Sequence, residues 1–215
     1  MVLNFLTEND MGIKERRERE KQLTRQAILS AALAIASENG WPALTIRKVG
    51  ERIEYSPPMV YEYFASKEDV LLQLVQGGFQ QLTELLQQAS VASGVSEEGL
   101  LKIADAYWDF ARSNRELYQL MHGLGGVPLD GAVIAQAVQQ VCMTTQQALQ
   151  AWAQAQGFSL PDPLGATEII WCLLHGLLSL SLVERVEGGE SRARNLMHEA
   201  VKSQLIAWKI TYRRQ

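Results

Sequence analysis

The sequence predicts an all-α fold: an N-terminal three-helix helix-turn-helix domain followed by a larger helical body. Three observations carry this. Apolar residues recur at helical spacing in almost every segment, and no alternating strand pattern occurs. Cap and stop residues punctuate the chain wherever one helix hands over to the next. The first third holds short helices with brief turns, and the rest holds long ones.

The elements follow in order. From about residue 18 to 39, Leu23, Ala27, Leu29, Ala31, Leu33, Ala34 and Ile35 recur at helical spacing. Asn39-Gly40 ends that helix, since Gly takes the left-handed conformation freely, and Pro42 follows. Thr45 is an N-cap for "IRKVGERI", with Ile46, Val49 and Ile53 on one face. Ser56 caps the next helix in "YSPPMVYEYFASKED". Pro57 and Pro58 take its first two positions, where the N–H groups lack intrahelical partners anyway. They start that helix and also remove two donors. Ser66 and Asp69 form a capping box before "VLLQLVQGGFQQLTELLQQ". A Gly/Ser-containing break is expected over 89–96, then helices over about 97–112 and 115–122, and a loop "GLGGVPLDG". A long helix over about 132–156 stops at Gly157. Asp162 and Pro163 open another over about 164–186, and Gly188-Gly189 separate it from the last, about 192–212. The expected division is 12–75 and 76–215.

Composition narrows the classes. About 47% of the 215 residues are hydrophobic and 20% charged, enough for a core. The two cysteines, Cys142 and Cys172, each sit in an apolar run, with neither a disulfide framework nor zinc spacing. The N-terminal apolar stretch is interrupted by Asn4, Glu8 and Asp10 and does not read as a signal peptide. The longest apolar run, Ile169 to Val183, is shorter than a bilayer span and carries His175, so a buried core helix and a cytoplasmic location are expected. No cofactor, metal or membrane is implied.

Charge is uneven. The chain is -4 overall, yet residues 12–52 hold nine bases (Lys14, Arg16, Arg17, Arg19, Lys21, Arg25, Arg47, Lys48, Arg52) against five acids. A local positive surface is what release of counterions from nucleic-acid phosphates requires. "KERREREK" also fits a solvated helical face with i,i+4 pairs, so charge alone leaves two readings open.

Residue order separates them. "LTIRKVGERIEYSPPMVYEYFASKEDVLLQLV" resembles the N-terminal domain of TetR/AcrR-type transcriptional regulators. Thr45 opens a helix, Val49 and Ile53 face inward, Ser56 caps the recognition helix, Tyr61-Glu62-Tyr63-Phe64 matches the aromatic motif, and Lys67-Glu68 opens the fourth helix. The similarity covers about 24–75. It implies binding to double-stranded DNA at a near-palindromic operator. Thr45, Arg47, Lys48, Ser56, Pro58, Met59, Tyr61 and Lys67 are the candidate DNA contacts. Two departures stand out: Glu54 replaces a glycine that tolerates positive φ, and Pro58 replaces another frequent glycine. The recognition helix has no Arg, Lys, Asn or Gln before Tyr63. Apolar contact, phosphate clamping and DNA shape are therefore expected to carry much of the specificity.

For the body, the resemblance implies an effector-binding and dimerisation domain, with a homodimer built by the last two helices. "RELYQLMHG" and "WCLLHG" resemble a subclass with a Trp-His-Gly element. Trp108, Tyr118, Met121, His122, Trp152, Trp171 and His175 are candidate pocket residues for a small apolar or amphipathic effector, with plain core as their alternative role. The expected function is a repressor released by that effector. Two other classes stand beside it. One is a helical DNA-binding protein with no effector. The other is an all-α enzyme using His122 or His175, against which no nucleophile, carboxylate pair or metal cluster accompanies either histidine.

Overall fold

The structure is a computed structural model describing residues 3–127 and 131–213; Pro128, Leu129 and Asp130 of the expected glycine-rich loop lie outside the described residues. All regular elements among the described residues are helical. Helix α1 (Leu3–Asn39) starts well before the expected boundary. Its charged stretch continues as helix because i,i+4 pairs such as Arg16–Glu20 (3.0 Å) support it. The face that turns inward is Ile28, Ala31, Ala32, Ile35 and Ala36, whereas Leu23 is exposed. Gly40, at φ 75°, ends the helix, and a single 3-10 turn (Trp41–Ala43) leads to α2 (Ile46–Arg52) and α3 (Pro57–Tyr61).

Helix α4 (Lys67–Ser93) runs from this unit into the body. Ser66 Oγ accepts from Asp69 N (3.2 Å), as the capping box requires. The Asp69 carboxylate, however, accepts from Ala65 N (3.0 Å) rather than from the cap residue itself. The expected break over 89–96 narrows to the three residues after Ser93. Gly94, at φ 66°, and the extended Ser96 take conformations that a helix forbids, whereas residues 89–93 stay helical, so their composition did not stop the helix.

The body comprises α5 (Glu97–Ser113), α6 (Arg115–Met121), α7 (Gly131–Ala155), α8 (Pro163–Leu182) and α9 (Gly189–Tyr212). Ser96 caps α5 through Gly99 N (3.0 Å), and Asp162 caps α8 through Gly165 N (2.9 Å). Helix α8 ends four residues before the expected boundary. Glu184 adopts φ 56°, and Glu184 N→Ser181 O (3.1 Å) with Arg185 N→Leu180 O (2.9 Å) closes the end in the Schellman pattern. At 20 residues and mean hydropathy 1.4, α8 is long and apolar enough by length and composition to cross a membrane, a test that a buried core helix also passes. Here it packs against α5, α7 and α9. Leu164, Ile169, Leu180 and Val183 in or at the end of α8 remain exposed, as do Ile206 and Ile210 of α9.

Candidate functional site

The helix-turn-helix is held from the inside. Val60, Phe64 and Val49 of α2 are fully buried, and Ile46 of α2 is buried beside them in the same core. Thr45 Oγ1 accepts from Lys48 N (3.2 Å) and fixes the start of α2. Gly50 lets the turn fold back: a Cβ there would stand 2.6 Å from Tyr55 O, and Gly50 O accepts from Tyr55 N (2.9 Å) and Ile53 N (3.1 Å). No larger residue fits that approach. Glu54 follows at φ 60°, the left-handed conformation that the sequence departure raised. A Cβ there costs about 1–2 kcal/mol. Glu54→Gly is therefore expected to stabilise the chain by about 0.5–1 kcal/mol after the added freedom of the unfolded glycine is subtracted. The urea midpoint measures this; an unchanged or lower midpoint would show that the turn absorbs the strain.

Helix α3 has only five residues, too few to be stable alone. Its N-terminus is set by the two prolines. Ser56 occupies the cap position, but its side chain makes no cap bond; its carbonyl serves instead, accepting from Met59 N (3.0 Å) and Val60 N (3.3 Å). The Ser56 hydroxyl is exposed rather than turned into the helix. The C-terminal end is held by Arg25, which donates to Tyr63 O (2.5 Å) and lies 4.2 Å over the Phe64 ring, with Gln73 of α4 3.5 Å away. Sequence signals did not point to Arg25, because its acceptor is a backbone carbonyl with no residue signature.

The outer surface of this unit gathers the candidate contacts. Thr45, Arg47, Lys48, Ser56, Pro58 and Met59 are exposed, Tyr61 is 54% exposed, and Lys67 is half-buried at the start of α4. Arg47 lies 3.0 Å from Glu51, and Lys48 Nζ reaches Ala43 O (3.1 Å). Arg52 is turned away onto Glu38 (2.6 Å), which holds the Glu38 carboxyl below its ordinary range. The basic excess is thus partly consumed in internal pairs, and the outward face is a mixed aromatic, proline and hydroxyl surface flanked by Arg47, Lys48 and Lys67.

Trp41 joins this unit to the body. It is 2% exposed, and its indole N–H donates to Glu116 O of α6 (2.9 Å). The loop after α6 lies flat on its ring: a Cβ on Gly125 would stand 2.7 Å from Trp41 Cδ1. Helix α6 also leans on α4, where a Cβ on Gly78 would meet Met121 Sδ at 2.6 Å.

In the body, the candidate pocket residues separate into three groups. Trp108 and Trp152 are fully buried core residues whose indole N–H groups find no acceptor. Tyr118, His122, His175 and Trp171 cluster with Tyr107. Tyr107 Oη and Tyr118 Oη are 2.9 Å apart, Tyr118 Oη and His175 Nδ1 2.5 Å, and His175 Nε2 and Ser179 Oγ 3.3 Å. His122 Nδ1 lies 3.0 Å from Tyr118 O, an acceptor, so that nitrogen carries the proton and Nε2 faces the Tyr107 hydroxyl (3.4 Å). The two imidazoles stack at 4.7 Å. Burial pushes the His122 pKa down to about 4, aided by His175 and opposed by the Tyr118 carbonyl; burial lowers His175 too. Burial also raises both phenols far above their ordinary value. The cluster is neutral at physiological pH. Met121, with His122, borders an open cavity of about 460 Å³ beside Gly126, Val127 and Ile134. Two further cavities lie along α4 and α7, away from the aromatic cluster.

A helix-turn-helix unit held on a long helix that enters a wider helical body is the architecture of a transcriptional regulator. The chain belongs to the tetR family of bacterial regulatory proteins: the family model of that description matches residues 28–74, and one described as "Tetracyclin repressor-like, C-terminal domain" matches 100–203. The transcriptional repressor KstR of Mycolicibacterium smegmatis is 34% identical over 95 residues, 44% of each chain. The chain spans less than half the length of the KstR repressors it matches. YobS of Bacillus subtilis, an uncharacterized HTH-type transcriptional regulator, is 26% identical over 181 residues, covering 81% of this chain and 87% of YobS. Among solved structures, a Rhodococcus sp. RHA1 protein of unknown function shares the fold with a TM-score of 0.73 at 20% identity, covering 85% of this chain and 93% of its own. The fatty acid degradation regulator FadR of Bacillus halodurans does so with a TM-score of 0.69 at 18% identity, covering 84% and 94%.

Proposed function

We propose that this regulator is a homodimeric repressor that binds a near-palindromic duplex operator and is released by a small apolar or amphipathic effector bound in its body. The observation that carries the DNA reading is the division of labour in α3. Val60 and Phe64 face inward completely, so Tyr61, Met59, Pro58 and the Ser56 hydroxyl are left facing out together. Thr45 and Lys48 of the α2 start are exposed, and Lys67 at the start of α4 is half-buried. Without amide or guanidinium groups on α3, Tyr61 and Lys67 act as phosphate clamps, and Met59 and Pro58 make apolar contact in the major groove. The uncovered apolar faces of α8 and α9 support dimerisation there, since single scattered apolar residues need no partner but a contiguous stripe does. A dimer would place its two recognition helices about 34–36 Å apart.

Release follows from contacts already described. An effector that shifts α6 moves the Glu116 carbonyl and the Gly125 loop that seat Trp41, and it presses on α4 through Met121 and Gly78. Either shift changes the spacing of the two recognition helices.

The test is selection of DNA fragments by the purified protein, followed by affinity measurements on the selected site. The site is expected to be two-fold symmetric, and its affinity to fall by orders of magnitude from low to physiological salt. Tyr61→Phe and Lys67→Ala are each expected to weaken binding several-fold across all sequences while leaving the preferred site unchanged, with Lys67→Ala also lowering the salt slope by about one. A flat salt response, or unchanged affinity in both variants, would overturn the clamp.

A further inference from the structure

We propose that the seam between α4 and α7 is a binding groove for an uncharged amphiphile, with a hydrocarbon part at one end and a hydroxyl, ester or amide head at the other. This deepens the effector reading above and rests on it for its regulatory meaning.

The first observation is the absence of charge. Helix α7 carries no Asp, Glu, Lys or Arg in its 25 residues, although many of its positions are exposed. Across the seam, residues 76–95 of α4 and its C-terminal turn contain one charged residue, Glu84, in a chain that is 20% charged. Solvent-facing helix surfaces ordinarily mix both signs at about a quarter to a third of positions. Glutamine takes their place here.

The second observation is shape. Two cavities of about 440 Å³ each lie along the seam and share Gln87. Gln76, Gln80, Gln136 and Gln140, with Glu84, line one end. Val91, Val95 and, from α5, Leu100 and Ile103 give the other its apolar wall, among the neutral side chains of Ser90, Ser96, Thr144 and Gln147. Val91 is 85% exposed and Val95 56%, although both sit at the mouth of a concave apolar wall. Cavities of this size suit a small ligand, and the polar and apolar ends are set apart along one axis.

Charge then selects the head group. No lysine, arginine or histidine lines either cavity. A carboxylate or phosphate would give up hydration without a cationic partner and would face Glu84. Carboxamides offer both donors and acceptors, which match a neutral head group whichever way it turns.

The test uses monolauroylglycerol, laurate and dodecyltrimethylammonium, which share one alkyl chain and differ in head-group charge. Binding to the full chain is followed by calorimetry below micelle-forming concentrations, without DNA. Monolauroylglycerol is expected to bind at least about tenfold more tightly than laurate. Val91→Asp/Val95→Asp, at two exposed positions that leave the core intact, is expected to weaken it by about a hundredfold, roughly tenfold for each valine no longer covered. Glu84→Lys is expected to raise laurate affinity. Equal or tighter laurate binding, preference for the cation, no binding of any probe, or insensitivity to the valine changes would each overturn the proposal. Operator affinity is measured separately on the same samples. Failure of the ligand-free protein to bind any operator, with groove binding intact, overturns the repressor reading and supports the groove; loss of operator binding only when the groove is filled supports both. Groove binding that leaves operator affinity unchanged supports the site and overturns its role as the effector site.

Discussion

Trp41→Ala is expected to cost about 3–5 kcal/mol of stability, the range for deleting a fully buried aromatic side chain. The buried ring fills the junction between the helix-turn-helix unit and α6. Trp41→Phe keeps a ring but removes the N–H, which leaves the Glu116 carbonyl without the indole donor; about 1–3 kcal/mol is expected. Gly125 supplies a second check. A Cβ there meets Trp41 Cδ1 at 2.7 Å, and a buried indole has no room to yield. Gly125→Ala should therefore destabilise the native protein yet cost little in a Trp41→Ala background. Denaturant unfolding of the four members of that cycle measures the coupling. Additive effects would show that the loop and the indole are independent.

Acid is expected to destabilise the body through His122. Its folded pKa, about 4, lies below the ordinary value of 6.5 because burial opposes the charged form. Above pH 6.5 neither folded nor unfolded chain protonates it, so it contributes no pH dependence. Between pH 6.5 and 4 the unfolded chain takes up the proton and the folded chain does not, so stability falls as pH falls. At pH 4 the loss from this group reaches about 3 kcal/mol. Tyr107, Tyr118 and His175 are its polar neighbours, and none of them supplies a negative charge in this range. His122→Asn, which retains a donor for the Tyr118 carbonyl, should flatten the slope across that window. Other groups titrating there are common to both proteins and cancel in the difference. Parallel curves for the two proteins would show that His122 remains free to protonate in the fold.

Much of the fold was legible because it is local. Thr45, Ser66, Ser96 and Asp162 each bond to an N–H three residues on. Pro57, Pro58 and Pro163 start helices for a reason internal to one turn. The outward placement of Tyr61 followed from Val60 and Phe64 filling the inward face. Boundaries failed where a local signal was overridden: the Ala89–Ser93 segment stayed helical, and α8 closed early on a left-handed Glu184 that carries no glycine mark.

The pocket was less legible. Trp108, Trp152, Tyr118 and His175 look alike in sequence, as large aromatic or imidazole groups on apolar helices. Hydrophobic burial is not directional, so it does not say which of them meets a cavity and which meets a neighbouring helix. The crossing of α4, α5, α7 and α8 decides that, and so does the placement of the uncharged α4–α7 seam. The sequence by itself determined the helices, most of their caps (Ser56 excepted) and the family, since those rest on spacings within one or two turns and on motif order. Only the tertiary structure decided that Arg25 clamps Tyr63, that Trp41 docks on Glu116, and that two histidines stack. Each joins residues 38 or more apart in the chain, through a backbone acceptor or a ring face that leaves no pattern in the sequence.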